Sequence, residues 1–360
     1  MNDEKLNSIR ERIDQLDLEI QRLLNDRALA AQEVARIKMA SDPQAECYRP
    51  EREAEILRKV KERNTGPLDA EEMARLFREI MSACLALEQP LAVAFLGPEG
   101  TFTQAAALKH FGHSVRTVSM NSIPDVFQEV ESGACQYGVV PVENSTEGVV
   151  SHTLDTFINS PLHICGEVTL RIHHHLLSKE TELRSIRVVY SHQQSLAQCR
   201  AWLDRHLPQA ERFAVGSNAE AAALAAAKTA AAAIAGEAAA EIYQLPKLTS
   251  NIEDEPGNTT RFLVIGKKDA LPSGDDKTSL MFSTLNKAGG LHALLAPIAE
   301  QGISMTRIES RPSRRGRWDY VFFVDIDGHR KDPNVSATLR LLEQKATQFR
   351  VLGSYPKAVL

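Results

Sequence analysis

Residues 258–262 (NTTRF) place two hydroxyls, an amide and a guanidinium next to one another. The stretch follows a Pro256-Gly257 turn and runs into an apolar strand predicted at 262–265, so these groups lie at the mouth of that strand. Ligands of α/β sheets commonly bind where strands or helices end and polar groups converge. By itself, the local pattern favours a polar loop before a strand.

Two further stretches repeat this arrangement of a short apolar strand followed by small polar residues. Residues 141–148 (PVENSTEG) follow a strand predicted at 137–140, and residues 97–104 (GPEGTFTQ) follow one predicted at 92–96. No Cys/His metal set occurs among the three stretches. Three such strand ends favour a small-molecule site, and no metal or cofactor is expected.

Near the N-terminus, Arg27 occupies an apolar slot of a helical pattern, and Lys38 follows eleven residues later on the same face. Arg10 lies roughly 100° away round the helix and is predicted to serve a different surface. Glu88 is a further ionisable residue on an apolar stripe. Such charges are costly unless paired, so an internal salt-bridge network is one interpretation of Arg27, Lys38 and Glu88.

Steps of three and four between apolar or small residues predict the long helix that carries these cations. The seam comprises Leu6, Ile9, Ile13, Leu16, Ile20, Leu23, Ala30, Val34 and Ile37. The helix would be roughly 50 Å long. A 90-residue domain cannot cover that length alone, which predicts an intertwined dimer.

Two shorter helices are predicted after the breaks at Pro43 and Pro50. One covers about 51–61, and the next is capped by Asp69. The apolar stripe of that third helix comprises Met73, Phe77, Ile80, Met81, Cys84 and Glu88.

Beyond Gln89-Pro90, short strands alternate with helices as far as residue 268, which predicts a parallel-rich sheet. Strands are predicted at 92–96, 115–118, 137–140, 163–172, 185–190, 212–215, 231–234 and 262–265. A polar linker at 272–277 precedes a βαββαβ order, which is ferredoxin-like.

Two polar stretches of the central segment allow alternative interpretations. Histidines 173–175 could suggest a metal site, but adjacent strand residues point to opposite faces, so a plain strand is favoured. Residues 191–195 (SHQQS) precede a helix and could bind an anion at its N-terminus, or Ser195 could simply cap that helix.

The composition is that of an ordinary globular protein, with 43% hydrophobic and 25% charged residues among 360. This length predicts two or three domains. A net charge of −5 favours neither nucleic acid nor membrane as a partner. The N-terminus predicts a charged helix rather than a signal peptide, and the alanine-rich tract 221–234 contains Lys228. Five cysteines without a CxxC pair favour a reducing, cytoplasmic location.

GPEGTFTQ, PVENSTEG and NTTRF together resemble prephenate dehydratase. With its flanking segments, nearly the whole chain resembles the bifunctional chorismate mutase–prephenate dehydratases of bacterial phenylalanine synthesis. The resemblance implies an all-α chorismate mutase bundle at 1–90 and a two-lobed, periplasmic-binding-protein-like α/β dehydratase domain at 91–268. It also implies an α+β ferredoxin-like ACT regulatory domain at 278–360. The chain would cross between the lobes at 171–177 and 248–255.

For the mutase, the resemblance implies a set of active-site cations and a hydroxyl-binding glutamate. These positions are Arg10, Arg27, Lys38, Arg52 and Glu53. In this family the arginine matching Arg10 reaches into the partner's site. Chorismate rearranges to prephenate without covalent catalysis, so the protein holds a compact conformer and stabilises charge on the breaking ether oxygen. Cys84 stands where a serine is common, and Glu88 stands where a glutamine is common.

For the dehydratase, the resemblance implies that Thr260 is the catalytic threonine. A hydroxyl near a cation can donate a hydrogen bond to the departing ring hydroxyl of prephenate. Arg261 would hold a carboxylate or only brace its loop. The residues expected to position the substrate are Thr101, Glu143, Asn144 and Ser145.

In the C-terminal segment, NKAGGLH (286–292), ESRP (309–312) and residues 318–320 (WDY) resemble the phenylalanine-binding ACT domain. The implied L-phenylalanine contacts are Gly289, Gly290, Leu291, His292, Glu309, Ser310, Arg311 and Pro312. Glycines at the first strand–helix turn let a ligand approach backbone amides closely. An interaction module without a ligand is the alternative.

The chain is therefore expected to be a bifunctional enzyme that acts on chorismate and prephenate, is inhibited by L-phenylalanine, and forms a homodimer or higher homo-oligomer. One alternative is a dehydratase with a weakened mutase. The other is a non-catalytic amino-acid-sensing binding protein. A chain ending near Asp276 is expected to keep dehydratase activity and lose inhibition.

Overall fold

The computed structural model describes residues 2–42, 47–146, 148–284, 287–312 and 320–360. Several positions named from the sequence lie outside these described residues: Pro43, Glu147, Asn286, Trp318 and Asp319. The described chain folds into three segments that pack on one another.

The helical segment begins with α1 (Asn2–Ser41), a single helix of 40 residues, or about 60 Å. The predicted seam is present but lies open to solvent in the single chain. Ile9 is 57% exposed, Ile13 is 50% exposed and Ile37 is 62% exposed. The remaining helices of one protomer are too short to cover this length.

Two shorter helices complete this segment, α2 (Pro50–Arg63) and α3 (Ala70–Glu88). Asp69 caps α3 as predicted, because its carboxylate accepts a hydrogen bond of 2.7 Å from the backbone N–H of Glu72.

The predicted face of α3 needs correction. Met81 and Cys84 are buried, but Met73, Phe77 and Ile80 are only half-buried. The most buried positions of α3 are Ala74, Arg78, Met81, Ser82, Cys84 and Leu85. The reason is that α3 packs on two sides at once: Ala74 and Met81 pack with α2, while Leu85 joins the core of the central segment.

The central segment consists of alternating strands and helices, and its elements follow in chain order. They are β1 (Ala92–Leu96), α4 (Phe102–Phe111), β2 (Arg116–Met120), α5 (Ile123–Ser132), β3 (Tyr137–Asn144), β4 (Gly148–Val149), α6 (Ser151–Phe157), β5 (His163–Arg171), β6 (His175–Ser178), β7 (Val188–His192), α7 (Gln193–Gln198), α8 (Arg200–His206), β8 (Glu211–Val215), α9 (Asn218–Ala227), β9 (Ala231–Ala235), α10 (Glu237–Ile242), β10 (Lys247–Thr249) and β11 (Thr259–Gly266).

These strands form two sheets, and each sheet is the centre of one lobe. The first lobe has the order β2-β1-β3-β11-β5, with β4 added to β3. The second lobe has the order β10-β6-β9-β7-β8. Strands β1, β2 and β3 are parallel, whereas β11 runs antiparallel to both β3 and β5. The sheet is mixed because β11 returns from the second lobe. The two-lobed α/β fold is as expected.

The predicted crossings contain two strands that the sequence pattern did not indicate. The first crossing leads into β6 and the second leaves from β10, and these two strands pair antiparallel. The three histidines at this point contact different partners, but the plain strand expected over 173–175 is wrong in part, because β5 ends at Arg171 and β6 begins only at His175. His173 contacts Glu253, His174 contacts Gln198, and His175 accepts a hydrogen bond from the Asn251 backbone N–H. No candidate metal cluster occurs within the described residues.

The C-terminal segment has the predicted βαββαβ order. Its elements are β12 (Asp276–Ser283), α11 (Gly290–Glu300), β13 (Met305–Pro312), β14 (Tyr320–Asp327), α12 (Pro333–Lys345) and β15 (Gln348–Pro356). The antiparallel sheet has the order β13-β14-β12-β15. One face packs on α11 and α12, and the other face packs on the first-lobe sheet.

This sheet-on-sheet contact is closest at Gly353 of β15. A Cβ atom at that position would lie 2.1 Å from the backbone oxygen of Ile164 in β5. Only glycine fits there, so the C-terminal sheet packs directly against the first lobe. Across the parts of the chain that are described, no helix combines the length and apolar character needed to cross a membrane.

Candidate active sites

The ends of β3 and β11 bring Thr260 and Asn144 directly opposite each other. The Asn144 side-chain amide donates hydrogen bonds of 2.8 Å to the Thr260 hydroxyl oxygen and to the Asn258 side-chain oxygen. Because the Thr260 oxygen already accepts a hydrogen bond, its own O–H is left to donate. The pair therefore forms a directed donor at the strand mouth predicted from the sequence.

Thr260 opens into a cleft of about 580 Å³ between the two lobes. Its lining includes Thr101, which also caps α4 by accepting from the Gln104 backbone N–H. The other polar and aromatic side chains on the first-lobe wall include Phe102, Asn144, Ser151, His152 and Phe262. Those on the second-lobe wall are His192, Gln194, Ser195, Gln198, Ser217 and Asn218. A cleft of this size and polarity suits a small polar ligand.

A hydrogen-bond chain links the Thr260–Asn144 pair to the second lobe. The Asn258 side-chain amide donates to the Gln198 oxygen over 3.0 Å, and His174 Nε2 lies 2.8 Å from the same oxygen. Burial lowers the pKa of His174, so the ring is neutral near neutral pH and Nε2–H is the donor. Gln198 and Asn258 were not predicted as site residues. Asn258 lay within the NTTRF stretch, but no local signal marks Gln198.

Asn218 makes hydrogen bonds with three residues of the 191–195 stretch. The Asn218 oxygen accepts from the Ser191 hydroxyl at 2.9 Å and from the His192 N–H at 3.0 Å, and its amide donates to Ser195 Oγ at 2.9 Å. Ser195 does not cap α7. His192 occupies that position, and its ring nitrogen accepts from the Gln194 N–H.

Arg261 does not lie in the cleft, contrary to its prediction as a substrate-binding residue. Its guanidinium donates to Glu167 (2.8 Å), Asp325 (2.6 Å) and the Tyr355 hydroxyl (3.0 Å). Neighbouring residues on a strand point to opposite faces, so when Thr260 faces the cleft, Arg261 faces the C-terminal sheet. The alternative of a bracing role fits this position.

Glu143 also lies outside the cleft, because neighbouring side chains on β3 point to opposite faces and Asn144 faces the cleft. The Glu143 carboxylate lies 3.4 Å from Arg307 Nε of the C-terminal segment. Ser145 does not line the cleft either: its hydroxyl accepts from the Thr259 N–H, and its N–H donates to the Thr259 carbonyl. The cause for Glu143 is the period of two along a strand, whereas Ser145 lies in the turn that follows the end of β3 at Asn144.

In the helical segment, α1 and α3 bring Arg27, Lys38, Cys84 and Glu88 together. Arg27 Nη1 lies 3.0 Å from the Cys84 sulfur. Burial raises the pKa of Glu88, while a hydrogen bond with Cys47 and the charges of Lys38 and Arg27 lower it. Cys47 was not predicted here.

Of the other predicted mutase residues, Glu53 lies close enough to Arg27 to feel its charge, whereas Arg52 and Arg10 are exposed in the single chain. Glu53 is half-buried and ion-paired with Arg78, and burial raises its pKa while Arg78 and Arg27 lower it. Arg52 pairs with Glu55 over 3.0 Å at an exposed position. Arg10 is exposed on α1, about 25 Å along the helix from Arg27.

The two predicted effector motifs meet at one end of the C-terminal sheet. Ser283 pairs with Val321, which in turn pairs with Arg311, so the loop before α11 and the end of β13 are neighbours. At the start of α11, Gly289 adopts a left-handed φ of 75°, and Gly290 is buried. Leu291 is half-buried and His292 is exposed.

On β13, Glu309 is half-buried while Ser310 and Pro312 are exposed. Arg311 does not point to open solvent. Its guanidinium donates two hydrogen bonds of 2.9 Å to the Asp155 carboxylate and one of 3.0 Å to the Ser151 hydroxyl. Ser151 begins α6 and lines the cleft, so this motif contacts the cleft wall.

Comparison with known proteins matches each segment to a family. The family model described as chorismate mutase type II matches residues 9–89, the one described as prephenate dehydratase matches 93–270, and the one described as ACT domain matches 278–342.

Individual relatives agree with these family matches. A bifunctional chorismate mutase/prephenate dehydratase of Stutzerimonas stutzeri is 59% identical over 99% of both chains. A prephenate dehydratase of Arthrobacter aurescens, solved in complex with L-Phe, is 33% identical with a TM-score of 0.69, covering 74% of this chain and 90% of that one. A protein described as a quorum quenching acylase is 27% identical with the same TM-score, covering 74% of this chain and 98% of that one.

Proposed function

The chain belongs to the bifunctional chorismate mutase/prephenate dehydratases. On that premise, we propose that the cleft between the lobes carries the dehydratase site and the helical segment carries the mutase site. The protein rearranges chorismate to prephenate and converts prephenate to phenylpyruvate with loss of CO2 and water, within L-phenylalanine biosynthesis. The observation that supports the dehydratase site is the Thr260 hydroxyl, whose oxygen accepts from Asn144.

In the dehydratase step, the ring carboxylate leaves as CO2 and its bonding electrons enter the ring. The ring hydroxyl leaves from the opposite carbon and takes up a proton to become water. Thr260 donates a hydrogen bond to that departing oxygen, because Asn144 donates to the Thr260 oxygen and does not take up its O–H. Thr101 and Asn144 line the cleft in which the substrate is positioned, and Asn258 and Gln198 hold the lobes together around it.

In the mutase step, Arg27 and Lys38 bind the carboxylates of chorismate, and Glu88 contacts the ether oxygen. The exposed seam of α1 supports a homodimer in which a second copy covers this face and supplies Arg10 to the site. Arg52 and Glu53 then complete the same site. Five cysteines without disulfides fit a reducing cytoplasm.

L-phenylalanine is the effector, and it binds at the sheet end where the loop before α11 meets β13. The contacts of Arg311 with Asp155 and Ser151 support this assignment, because they connect that region to the cleft wall.

The test is to supply chorismate to the purified protein and to follow prephenate and phenylpyruvate with and without L-phenylalanine. Both products should form in wild type, and the effector should slow phenylpyruvate formation. Thr260→Ala should accumulate prephenate without phenylpyruvate. Thr259→Ala is the matched control, because the Thr259 hydroxyl donates to the Gly257 carbonyl rather than lining the cleft. Equal loss of both activities in Thr260→Ala, with the fold intact, would argue against separate sites.

A further inference from the structure

Four charged residues face one another between the first-lobe sheet and the C-terminal sheet. Glu143 and Arg261 are paired across β3 and β11, and Arg307 and Asp325 are paired across β13 and β14. The contacts between the sheets are crossed: Arg261 Nη1 lies 2.6 Å from Asp325, and Arg307 Nε lies 3.4 Å from Glu143. We call these residues the charge quartet. The two positive and two negative charges of the charge quartet sum to zero.

The Arg261–Asp325 half of the charge quartet is largely buried, and both side chains make several hydrogen bonds. The side chains of Arg261 and Asp325 are 14% and 7% exposed. The second Asp325 oxygen accepts from the Ser279 hydroxyl over 2.6 Å, and Ser279 also contacts the Tyr355 hydroxyl over 2.7 Å. Burial raises the pKa of Asp325, but Arg261, Ser279 and Arg307 lower it more, so the carboxylate is ionised at neutral pH. A satisfied polar network of this kind fixes the positions of its members.

The other face of the same two strands carries the dehydratase site. Thr260 directly precedes Arg261, and Asn144 directly follows Glu143. Each strand end is therefore held on one side by the C-terminal sheet and presents its site residue on the other side.

We propose that Asp325 is a positioning residue for prephenate dehydration, which acts through Arg261 to hold the Thr260 hydroxyl in place. The inference rests on the proposed function. It assigns to the regulatory segment a direct part in dehydration: a carboxylate of that segment keeps the β11 end in register with Asn144. Displacement of a reacting group by about 1 Å can reduce turnover by about 100-fold. Loss of the Asp325–Arg261 contact is therefore expected to lower the kcat of dehydration.

The test is Asp325→Asn in the full-length protein. The amide keeps the size of the side chain and can still accept from Ser279, but it no longer holds the guanidinium by charge. We expect dehydratase kcat to fall by at least about tenfold, with the KM for prephenate changed by less than about twofold. Mutase turnover of the same preparation should remain at the wild-type level. Asp325→Glu should recover part of the lost kcat.

Two further variants separate positioning from stability. Arg261→Met with Asp325→Asn removes both charges, and Glu167 stays paired with Lys277 at 2.8 Å. This double variant should regain the melting temperature lost in Asp325→Asn while its dehydratase kcat stays low. Arg330→Gln is the matched control: it removes a 2.6 Å ion pair between the C-terminal segment and Asp269 that does not touch the charge quartet. It should keep dehydratase kcat.

Wild-type dehydratase kcat in Asp325→Asn would overturn the inference. So would a double variant in which melting temperature and kcat recover together, because the single variant would then have lost only stability. A wild-type chain that does not convert prephenate would overturn the proposed function as well, and this result is distinguishable from the other two.

Discussion

Among individual residues, Thr260 acquires its chemical role from its neighbour. A threonine hydroxyl can donate one hydrogen bond and accept two, and Asn144 occupies one accepting position of the Thr260 oxygen over 2.8 Å while leaving its O–H available to donate. The direction of one hydrogen bond thus decides whether the site can assist a departing hydroxyl.

Asn144→Asp should reverse that direction. An ionised carboxylate only accepts, so the Thr260 O–H would turn toward it and away from the substrate. Dehydratase kcat should fall by about 100-fold at neutral pH and recover partly in acid, where the new carboxyl can donate. The rate of phenylpyruvate formation across a pH series measures this. Asn251→Asp makes the same chemical change at an exposed turn and should leave the rate unaltered. A wild-type rate in Asn144→Asp would show that Asn144 does not orient Thr260.

Glu88 gives the mutase a pH dependence of definite sign. Burial raises the pKa of Glu88, although Cys47, Lys38 and Arg27 each lower it. The protonated carboxyl can donate to the ether oxygen, whereas the carboxylate places a negative charge beside an oxygen that is gaining one. Mutase activity should therefore be highest below the pKa of Glu88 and fall as pH rises through it.

The profile of Glu88→Gln should be flat over the same range, because an amide donates at every pH. The measurement is chorismate consumption from acid to alkaline pH in both proteins. Identical profiles would mean that Glu88 does not contact the ether oxygen. Dehydratase turnover serves as an internal control, since its site lies in another segment.

At the residue scale, the sequence predicted positions where local order was sufficient, and the roles of these residues stay predictions. Thr260 and Asn144 lie in the cleft because each ends a strand whose apolar run is visible in the sequence. Glu143 was expected in the cleft, and for Arg261 a carboxylate contact and a bracing role were both left open. The period of two along β3 and β11 places both side chains on the face away from the cleft. Gln198 could not be found, because its role depends on a contact with Asn258, sixty residues away.

Among the elements, α1 has the most apolar surface without cover in the single chain. Its seam positions are about half exposed, and a stripe of this length on a monomer is a feature of association surfaces. The 3–4 spacing that predicts the helix also predicts which of its faces needs a partner.

Ile13→Glu should therefore weaken self-association and reduce mutase activity by at least about tenfold, because a charge on a packed seam must be desolvated without a partner. Dehydratase activity should be reduced far less, since that site does not include α1. Sedimentation velocity with both activity assays tests this. Gln15→Glu adds the same charge about 200° round the helix and should preserve the assembly. An Ile13→Glu protein that sediments like wild type would contradict the assigned seam.

Long, regular elements and most strands of five or more residues were predictable, and the shortest strands were not. The three helices of the first segment and the βαββαβ order of the last follow from periodicity over ten or more residues. Strands β6 and β10 have only four and three residues, and no alternation of that length can be distinguished from a loop. They exist because they pair with each other at the lobe crossing.

At the scale of the whole molecule, the C-terminal sheet is part of the wall behind the dehydratase site. Met281, Phe323 and Leu352 join the same apolar core as Leu263 and Ile265 of β11. The sequence did not indicate this contact. Its composition shows where one domain ends and the next begins, but the packing of one domain on another depends on surfaces that form only when both have folded.

Removing residues 277–360 should accordingly abolish most dehydratase activity, in contrast to the expectation from sequence. The truncation exposes an apolar sheet face and leaves Glu167 and Arg261 without Lys277 and Asp325. Prephenate turnover and thermal unfolding of the truncated chain measure the effect. A truncated chain that turns over prephenate at the wild-type rate would show that the first lobe supports its site unaided. Mutase activity reports whether the remaining chain is folded.

The paired strand ends also limit how the length of this chain can change. Glu143-Asn144 and Thr260-Arg261 each present one side chain to the cleft and one to the neighbouring sheet. Inserting or deleting one residue within β3 or β11 would exchange the two faces and place a carboxylate or guanidinium where the amide or hydroxyl now stands. Single-residue insertions should therefore be excluded from these strands, whereas an exposed turn such as 208–209 should accept them.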